Sequence, residues 1–191
     1  MDWRHEFKYL IDDATFLRLY HALSPVLHRD LHEADHQPGA LGGYRIRSLY
    51  FDDWNDTAFR EKLSGVDDRD KIRIRAYNHR DDFIRLERKH KDNGYIKKED
   101  IGISRAEYEA IMRRDYSFLL KRPEPFAHEM YRDFVTKTLQ PRVIVDYTRE
   151  AYVFPMEEVR VTFDKNVRSG YRSVDMFNPH IVTYPAIEDR A

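Results

Sequence analysis

The stretch DKIRIRAY, residues 70–77, alternates basic and apolar side chains. Lys71, Arg73 and Arg75 fall on one face of the implied strand, and three aliphatic residues fall on the other. Such alternation is typical of a half-buried β-strand, because successive side chains of a strand point to opposite sides of the sheet. The stretch therefore predicts a strand with one apolar face for packing and one strongly basic face.

Two more strands are predicted directly downstream, at residues 83–91 and 95–103. Asn93-Gly94 lies between them, and this dipeptide favours a tight β-hairpin turn. Short turns between neighbouring strands predict an antiparallel sheet. The first of the two strands also gathers charged side chains on one face, namely Arg85, Glu87, Lys89 and Lys91.

The rest of the chain adds more strands than helices. The alternation and capping signals predict strands at 4–11, 44–52, 142–154, 159–166 and 180–184, and helices at 14–27, 57–63, 105–113 and 125–139. This order predicts an α+β fold, with an antiparallel sheet or barrel of about seven to eight strands and helices packed outside.

The composition of the chain limits the classes of function and of site that it can have. The 191 residues suit a single domain spanning 1–191, and the 33 Lys+Arg nearly balance the 34 Asp+Glu. A basic field over the whole chain, which would favour nucleic-acid binding, is therefore not expected, and we expect no nucleic-acid partner. The chain has no Cys, which excludes disulfides and thiolate metal sites. Since no apolar run is long enough to span a bilayer, we expect a cytoplasmic protein without direct membrane insertion.

Clustered cations on consecutive strands are the informative feature. For any single strand, a solvated charged face is the more frequent explanation. Several basic strands side by side are harder to explain in this way, because like charges opposite one another across a sheet repel. A multiply charged anion among them offsets the repulsion through charge-assisted bonds, which Arg and Lys make readily with phosphate. The pattern therefore predicts a phosphate-binding face.

Six segments, taken in order, resemble the VTC domain, the polyphosphate polymerase domain of vacuolar transporter chaperone proteins and their bacterial relatives. This family is part of the triphosphate tunnel superfamily, with the CYTH phosphatases. The segments are RHEFKYLI (4–11), RIRSLYFDD (45–53), DKIRIRAY (70–77), IRLERKHKDNGYIKKE (84–99), PRVIVDYTREAY (141–152) and VRVTFDKNVR (159–168).

The resemblance implies a tunnel of eight antiparallel strands with a basic lining. It implies ATP and inorganic polyphosphate or tripolyphosphate as ligands, Mn²⁺ or Mg²⁺ as cofactor, and transfer of the terminal phosphoryl group of ATP to a polyphosphate chain. Two alternatives stay open: triphosphate or polyphosphate hydrolysis in the same tunnel, and a non-catalytic polyphosphate sensor or scaffold. Arg4 argues against hydrolysis, because CYTH phosphatases have a glutamate in that frame.

Residue by residue, the resemblance assigns three sets of roles. The implied catalytic residues are Lys8, Arg73, Arg75, Lys89, Arg149 and Arg160. The implied phosphate-binding residues are Arg47, Lys91, Lys97, Lys98 and Tyr147, and it stays open which of the two adjacent lysines faces the tunnel. The implied metal ligands are Glu6 and Glu87.

The chain departs from the family at its C-terminal end. Family members continue into a strand of the form L-E-V-K-Y, which carries a metal-binding glutamate, and then into a helix. This sequence ends at Ala191 without that strand. We therefore expect the tunnel to lack its last strand and the main metal ligand, which leaves catalysis and binding alone as competing hypotheses. The sequence does not predict the oligomeric state.

Overall fold

Nine β-strands and four α-helices make up the part of the chain that the computed structural model describes, residues 3–30, 43–154, 156, 159–170 and 172–186. The strands are β1 Arg4–His5, β2 His28–Arg29, β3 Tyr44–Asp52, β4 Arg69–Tyr77, β5 Ile84–Asp92, β6 Tyr95–Ile103, β7 Gln140–Val153, β8 Arg160–Gly170 and β9 Thr183–Pro185. The helices are α1 Asp13–Leu23, α2 Thr57–Ser64, α3 Arg105–Met112 and α4 Pro125–Thr136, with a short 3₁₀ helix at Ser117–Lys121.

All nine strands belong to one antiparallel sheet. Its order is β1-β6-β5-β4-β3-β7-β8-β9, with β2 paired to β7 off this path. This arrangement confirms the predicted α+β class and the tunnel-like antiparallel sheet. Within the described residues no ladder joins β1 to β9, so the sheet is open rather than a closed barrel.

Local signals place the central hairpin and α3 where the sequence predicts them. Asn93 and Gly94 both have positive φ, 49° and 82°, as a tight turn between β5 and β6 requires. Ser104 caps α3 through a reciprocal pair of bonds with Glu107. Helix α1 ends earlier than predicted because Pro25 cannot continue it.

The apolar face of the sheet packs against the helices. Leu49, Ile74 and Leu86 are fully buried there, together with Met130 and Phe134 of α4. These aliphatic residues alternate with the basic ones on β4, so the same packing turns Arg73 and Arg75 to the other side. We call that other side the polar face.

The first predicted strand is mostly wrong. Only Arg4 and His5 pair, with Ile96 and Tyr95 of β6. Residues 6–11 have no strand geometry, and Phe7 and Tyr9 are 76% and 81% exposed. Alternation marks a segment that suits a strand, but a strand forms only where a neighbour accepts its backbone hydrogen bonds.

Candidate functional site

A row of three lysines crosses the polar face. The strand register places Lys71 of β4 opposite Lys89 of β5, and Lys89 opposite Lys98 of β6. Side chains opposite one another in a ladder lie about 5 Å apart at Cβ, so these positive charges repel. We call these three residues the lysine row. Of the cross-strand rows that β4–β6 form on the polar face, this is the row in which all three side chains are cations.

The three lysines differ in their partners. Lys89 forms an ion pair with Glu6, and Lys98 Nζ lies 2.8 Å from Glu87 Oε1. Lys71 forms no ion pair or hydrogen bond with any residue that the structure describes. Burial lowers the pKa of Lys71 below its ordinary value, because its charge is partly removed from water and the neighbouring Tyr50 offsets only part of this loss. Among the residues that the structure describes, Lys71 thus has no anionic partner.

Glu87 sits beneath the row and is fully buried. Its Oε2 lies 2.7 Å from Arg73 Nε, and its Oε1 lies 3.8 Å from Arg75 Nη1 and 2.8 Å from Lys98 Nζ. Burial disfavours the carboxylate, but the charges of Arg75, Arg73 and Lys98 outweigh it and lower the pKa of Glu87 to about 2. One carboxylate therefore holds three cations in place.

The hydroxyl groups of two tyrosines accept hydrogen bonds from the paired arginines Arg73 and Arg75. Arg73 Nη1 donates to Tyr50 Oη at 2.9 Å, and Arg75 Nη2 donates to Tyr147 Oη at 3.0 Å. Arg75 Nε also reaches Ser48 Oγ at 3.4 Å. Both guanidinium groups are therefore fixed in orientation and nearly buried. The structure brings together, on this face, the predicted residues Arg73, Arg75, Lys89, Lys98, Tyr147 and Glu87.

Arg149 and Arg160 lie further along the same face, on β7 and β8. Arg149 forms a two-pronged bond with Asp164, at 2.6 and 2.7 Å, and its guanidinium lies 5.2 Å from the centroid of the Tyr147 ring. Arg160 Nη2 pairs with Asp30 at 2.6 Å. Both predicted residues therefore already have a carboxylate partner.

Two further predicted residues occupy the margin. Lys91 pairs with Asp67 at the end of the β5–β6 hairpin. Lys8 follows β1, has a side chain that is 77% exposed and lies 3.8 Å from Glu6. Residues 6–11 do not continue β1, so Lys8 is not held in the sheet as the resemblance implied.

Arg47 and Lys97 lie on the opposite, helix-packed face, which corrects their predicted placement. Arg47 is buried, forms a two-pronged bond with Asp146 and donates to the carbonyls of Met176 and Asn178. Lys97 pairs with Glu99. The choice between Lys97 and Lys98 is thereby settled geometrically, since only Lys98 points to the polar face. Sequence alternation relates neighbours within a strand, but it does not say which set packs against the helices.

Four residues of this face were absent from the predicted site: Lys71, Tyr50, Arg85 and Asp100. Lys71 and Arg85 share the alternation that revealed Arg73 and Lys89, so the signal was present. Arg85 Nε donates to Asp100 at 2.6 Å. Tyr50 was hidden because β3 carries mostly apolar residues beside it, and only the register with β4 places it opposite Arg73.

The predicted metal ligands do not fit a divalent cation as they are arranged. Both oxygens of Glu87 face positive groups, and Glu6 is engaged by Lys89. A metal ion at Glu87 would meet three positive charges at short range. Among the residues described, no cluster of three His, Asp or Glu side chains has the geometry of a metal site.

Comparison with known proteins places this arrangement in a family. The sequence model of the VTC domain matches residues 3–183. A crystal structure of a candidate adenylate cyclase from Bacillus halodurans superimposes with a TM-score of 0.54 at 16% identity, and the match covers 90% of this chain and 76% of that one. At that identity the likeness shows the fold alone. No curated protein has significant similarity to the chain. None of the described helices has the length and apolar character needed to cross a membrane.

Proposed function

The chain belongs to the VTC domain family, and on this basis we propose that its polar face binds the phosphates of ATP and of inorganic polyphosphate, and that it transfers the terminal phosphoryl group of ATP to a polyphosphate chain. Membership of the family and the tunnel-type fold support a nucleotide- or polyphosphate-binding domain. The phosphoryl transfer is proposed from the polyphosphate polymerase activity that the resemblance to this family implies.

The lysine row is the observation that carries the binding proposal. Lys71, Lys89 and Lys98 stand opposite one another on three neighbouring strands, and Lys71 lacks a partner among the described residues. Three strands extend about 10 Å across the sheet. An extended anion with several phosphates can meet all three ammonium groups, whereas a single phosphate group meets fewer of them. The row therefore favours triphosphate or polyphosphate over monophosphate.

Arg73 and Arg75 supply the oriented part of the site. Each guanidinium is already fixed by a tyrosine hydroxyl and by Glu87, so little side-chain entropy is lost when it bonds a phosphate. Phosphoryl transfer needs mainly alignment and neutralisation of charge, because the transferred group spreads negative charge over its oxygens. Preorganised arginines provide both.

The proposed reaction needs no covalent intermediate on the protein. The bond between the terminal phosphorus of ATP and its bridging oxygen breaks, and ADP leaves with the electron pair. A terminal oxygen of the acceptor chain forms the new bond to that phosphorus, so the chain grows by one phosphate. The acceptor oxygen is already ionised near neutral pH, which removes the need for a general base.

Mn²⁺ or Mg²⁺, the cofactor that the resemblance implies, would neutralise charge on the phosphates when bound. Because Glu6 and Glu87 are engaged by cations, they do not supply its binding site as arranged. Such ions are commonly held by the phosphates of the nucleotide itself together with few carboxylates. A metal that arrives with ATP is consistent with this face.

Binding without turnover is the second candidate function. The ion pairs of Glu6 and Glu87 favour this function, since the two carboxylates expected to hold the metal are both occupied by lysine or arginine. A sensor or scaffold needs the basic face but no metal ligand.

Calorimetry followed by product analysis separates these functions. The chain is titrated with tripolyphosphate and with monophosphate, each with and without Mn²⁺, and is then incubated with ATP and Mn²⁺. Tight binding of tripolyphosphate with formation of long chains supports the polymerase. Release of free phosphate instead supports the hydrolase alternative, and binding without any product supports a sensor. Equal or absent binding of both anions would contradict the proposed site.

A further inference from the structure

Tyr50 lies at the centre of the polar face, where its hydroxyl helps to orient Arg73. It is on β3, directly opposite Arg73 of β4. Arg73 Nη1 donates to its hydroxyl at 2.9 Å, and the Arg73 guanidinium carbon lies 5.7 Å from the centroid of its ring. Its side chain is partly buried.

The hydroxyl proton of Tyr50 has no acceptor among the residues that the structure describes. A tyrosine hydroxyl has one proton to donate and lone pairs to accept with. The Tyr50 oxygen accepts from Arg73, and the hydroxyl donates to no residue that the structure describes. Its proton is therefore available to an acceptor outside the described part of the protein, either water or a bound ligand.

The surroundings determine which acceptor suits that proton. On β4, the charged groups that influence Tyr50 are Arg73, Arg75 and Lys71, all of them cations. Glu87, the buried carboxylate that bonds Arg73, is already shared by Arg73, Arg75 and Lys98. The residue opposite Tyr50 on β7 is Val143, which offers no polar side chain. An oxygen of a bound anion is the acceptor that this environment favours.

We propose that Tyr50 is a further ligand-binding residue, whose hydroxyl is oriented by Arg73 and donates a hydrogen bond to a phosphate oxygen of the bound triphosphate or polyphosphate. The proposal rests on the proposed function and adds a neutral hydroxyl donor beside the cations of the site. Tyr147 stands in the same relation to Arg75, from which it accepts at 3.0 Å. The site thus contains two arginine–tyrosine pairs side by side.

The acidity of the phenol agrees with this role. Burial disfavours its ionised form, but the positive charges of Arg73, Arg75 and Lys71 outweigh burial and lower the pKa of Tyr50. A more acidic hydroxyl is a stronger hydrogen-bond donor to an oxyanion.

The test compares two tyrosine-to-phenylalanine variants by calorimetric titration with tripolyphosphate. Tyr50→Phe removes only the hydroxyl and keeps the ring under Arg73. Tyr95→Phe is the matched control, since Tyr95 begins β6 and points to the opposite face. We expect roughly tenfold weaker binding in Tyr50→Phe, the loss of one hydrogen bond to a charged group. We expect no change in Tyr95→Phe and nearly equal Tm values for both variants.

A second readout does not depend on the variant being folded. In wild-type protein labelled with ¹³C at the tyrosine Cζ, the Tyr50 signal should shift during the titration and saturate with the calorimetric Kd. If wild type binds but Tyr50→Phe binds equally well and the Tyr50 signal stays fixed, the inference is overturned and the proposed function stands. If wild type itself does not bind tripolyphosphate, the proposed function fails, and the role of Tyr50 fails with it.

Discussion

Glu87 and Arg88 are neighbours on β5, yet they sit in opposite electrostatic settings. On the polar face, the Glu87 carboxylate is shared by three cations, Arg73, Arg75 and Lys98. On the helix-packed face, the Arg88 guanidinium is shared by three carboxylates: it lies 2.7 Å from Glu99, 2.5 Å from Glu129 and 3.5 Å from Asp133.

The two clusters differ in how their charges are balanced. Around Arg88, the surplus carboxylates find cations within the protein, since Lys97 pairs with Glu99 and Lys137 pairs with Asp133. This cluster ties α4 to the sheet, and its charges balance, since three cations face three carboxylates. Around Glu87, the adjacent lysine row adds further positive charge, and Lys71 has no counter-ion among the described residues. The difference is consistent with a structural role for the Arg88 cluster and supports the proposal that the Glu87 cluster receives an anion.

The largest effect expected on binding comes from the paired arginines. Arg73→Ala combined with Arg75→Ala should weaken tripolyphosphate binding by about 3–6 kcal/mol, since each charge-assisted bond contributes about 1.5–3 kcal/mol. Calorimetry measures this, with circular dichroism to confirm folding. The matched control replaces two exposed arginines of the helical side, Arg113 and Arg132, by Ala. Unchanged affinity in a folded double variant would place the arginines outside the site.

A second pair of variants tests the comparison directly. Glu87→Gln and Arg88→Met should each destabilise the fold by about 3–5 kcal/mol, because each leaves buried charges without their partner. Tripolyphosphate should then raise the Tm of Glu87→Gln by more than that of wild type, since the anion replaces the lost negative charge.

Arg88→Met serves as the contrast in the same thermal titration. Its ligand-induced rise in Tm should equal that of wild type, because the Arg88 cluster lies on the other face. Equal rises in all three proteins would mean that the Glu87 cluster is as self-contained as the Arg88 cluster.

Lowering the pH should also reveal how much the Glu87 cluster contributes to the stability of the fold. The pKa of Glu87 is lowered from 4.5 to about 2 by Arg75, Arg73 and Lys98, against the effect of burial. Its stabilisation is therefore complete above pH 4.5 and is lost as the pH falls toward 2, and it amounts to about 3 kcal/mol. Urea unfolding between these pH values should show a steeper loss in wild type than in Glu87→Gln. Parallel profiles would contradict this charge state.

The smallest expected effect separates two adjacent lysines. Lys98→Ala should weaken tripolyphosphate binding about tenfold, the contribution of one charged bond, because Lys98 belongs to the lysine row. Lys97→Ala should leave the affinity within about twofold, since its side chain points to the helix-packed face and exposed pairs there contribute little. Equal losses in the two variants would show that net charge, rather than the face of the sheet, governs binding.

Much of the site was predictable because alternation is a local property. The order of charges in residues 70–77 and 83–91 was enough to place Arg73, Arg75, Glu87 and Lys89 on one face. The Asn93-Gly94 turn and the Ser104 cap were also predictable, since each depends on backbone preferences of a few residues. The register that sets Lys71, Lys89 and Lys98 opposite one another depends on pairing between strands, which no single strand encodes.

The sequence by itself determined the antiparallel α+β fold and the existence of a strongly basic sheet face, because both follow from spacing along the chain. Only the tertiary structure decided that Arg47 and Lys97 lie on the helix-packed face, that residues 6–11 do not join the sheet, and that Glu87 is committed to three cations. These outcomes depend on which elements pack together and on which charges meet across strands. Long-range packing and electrostatics set them, and their energies are not contained in the pattern of any one segment.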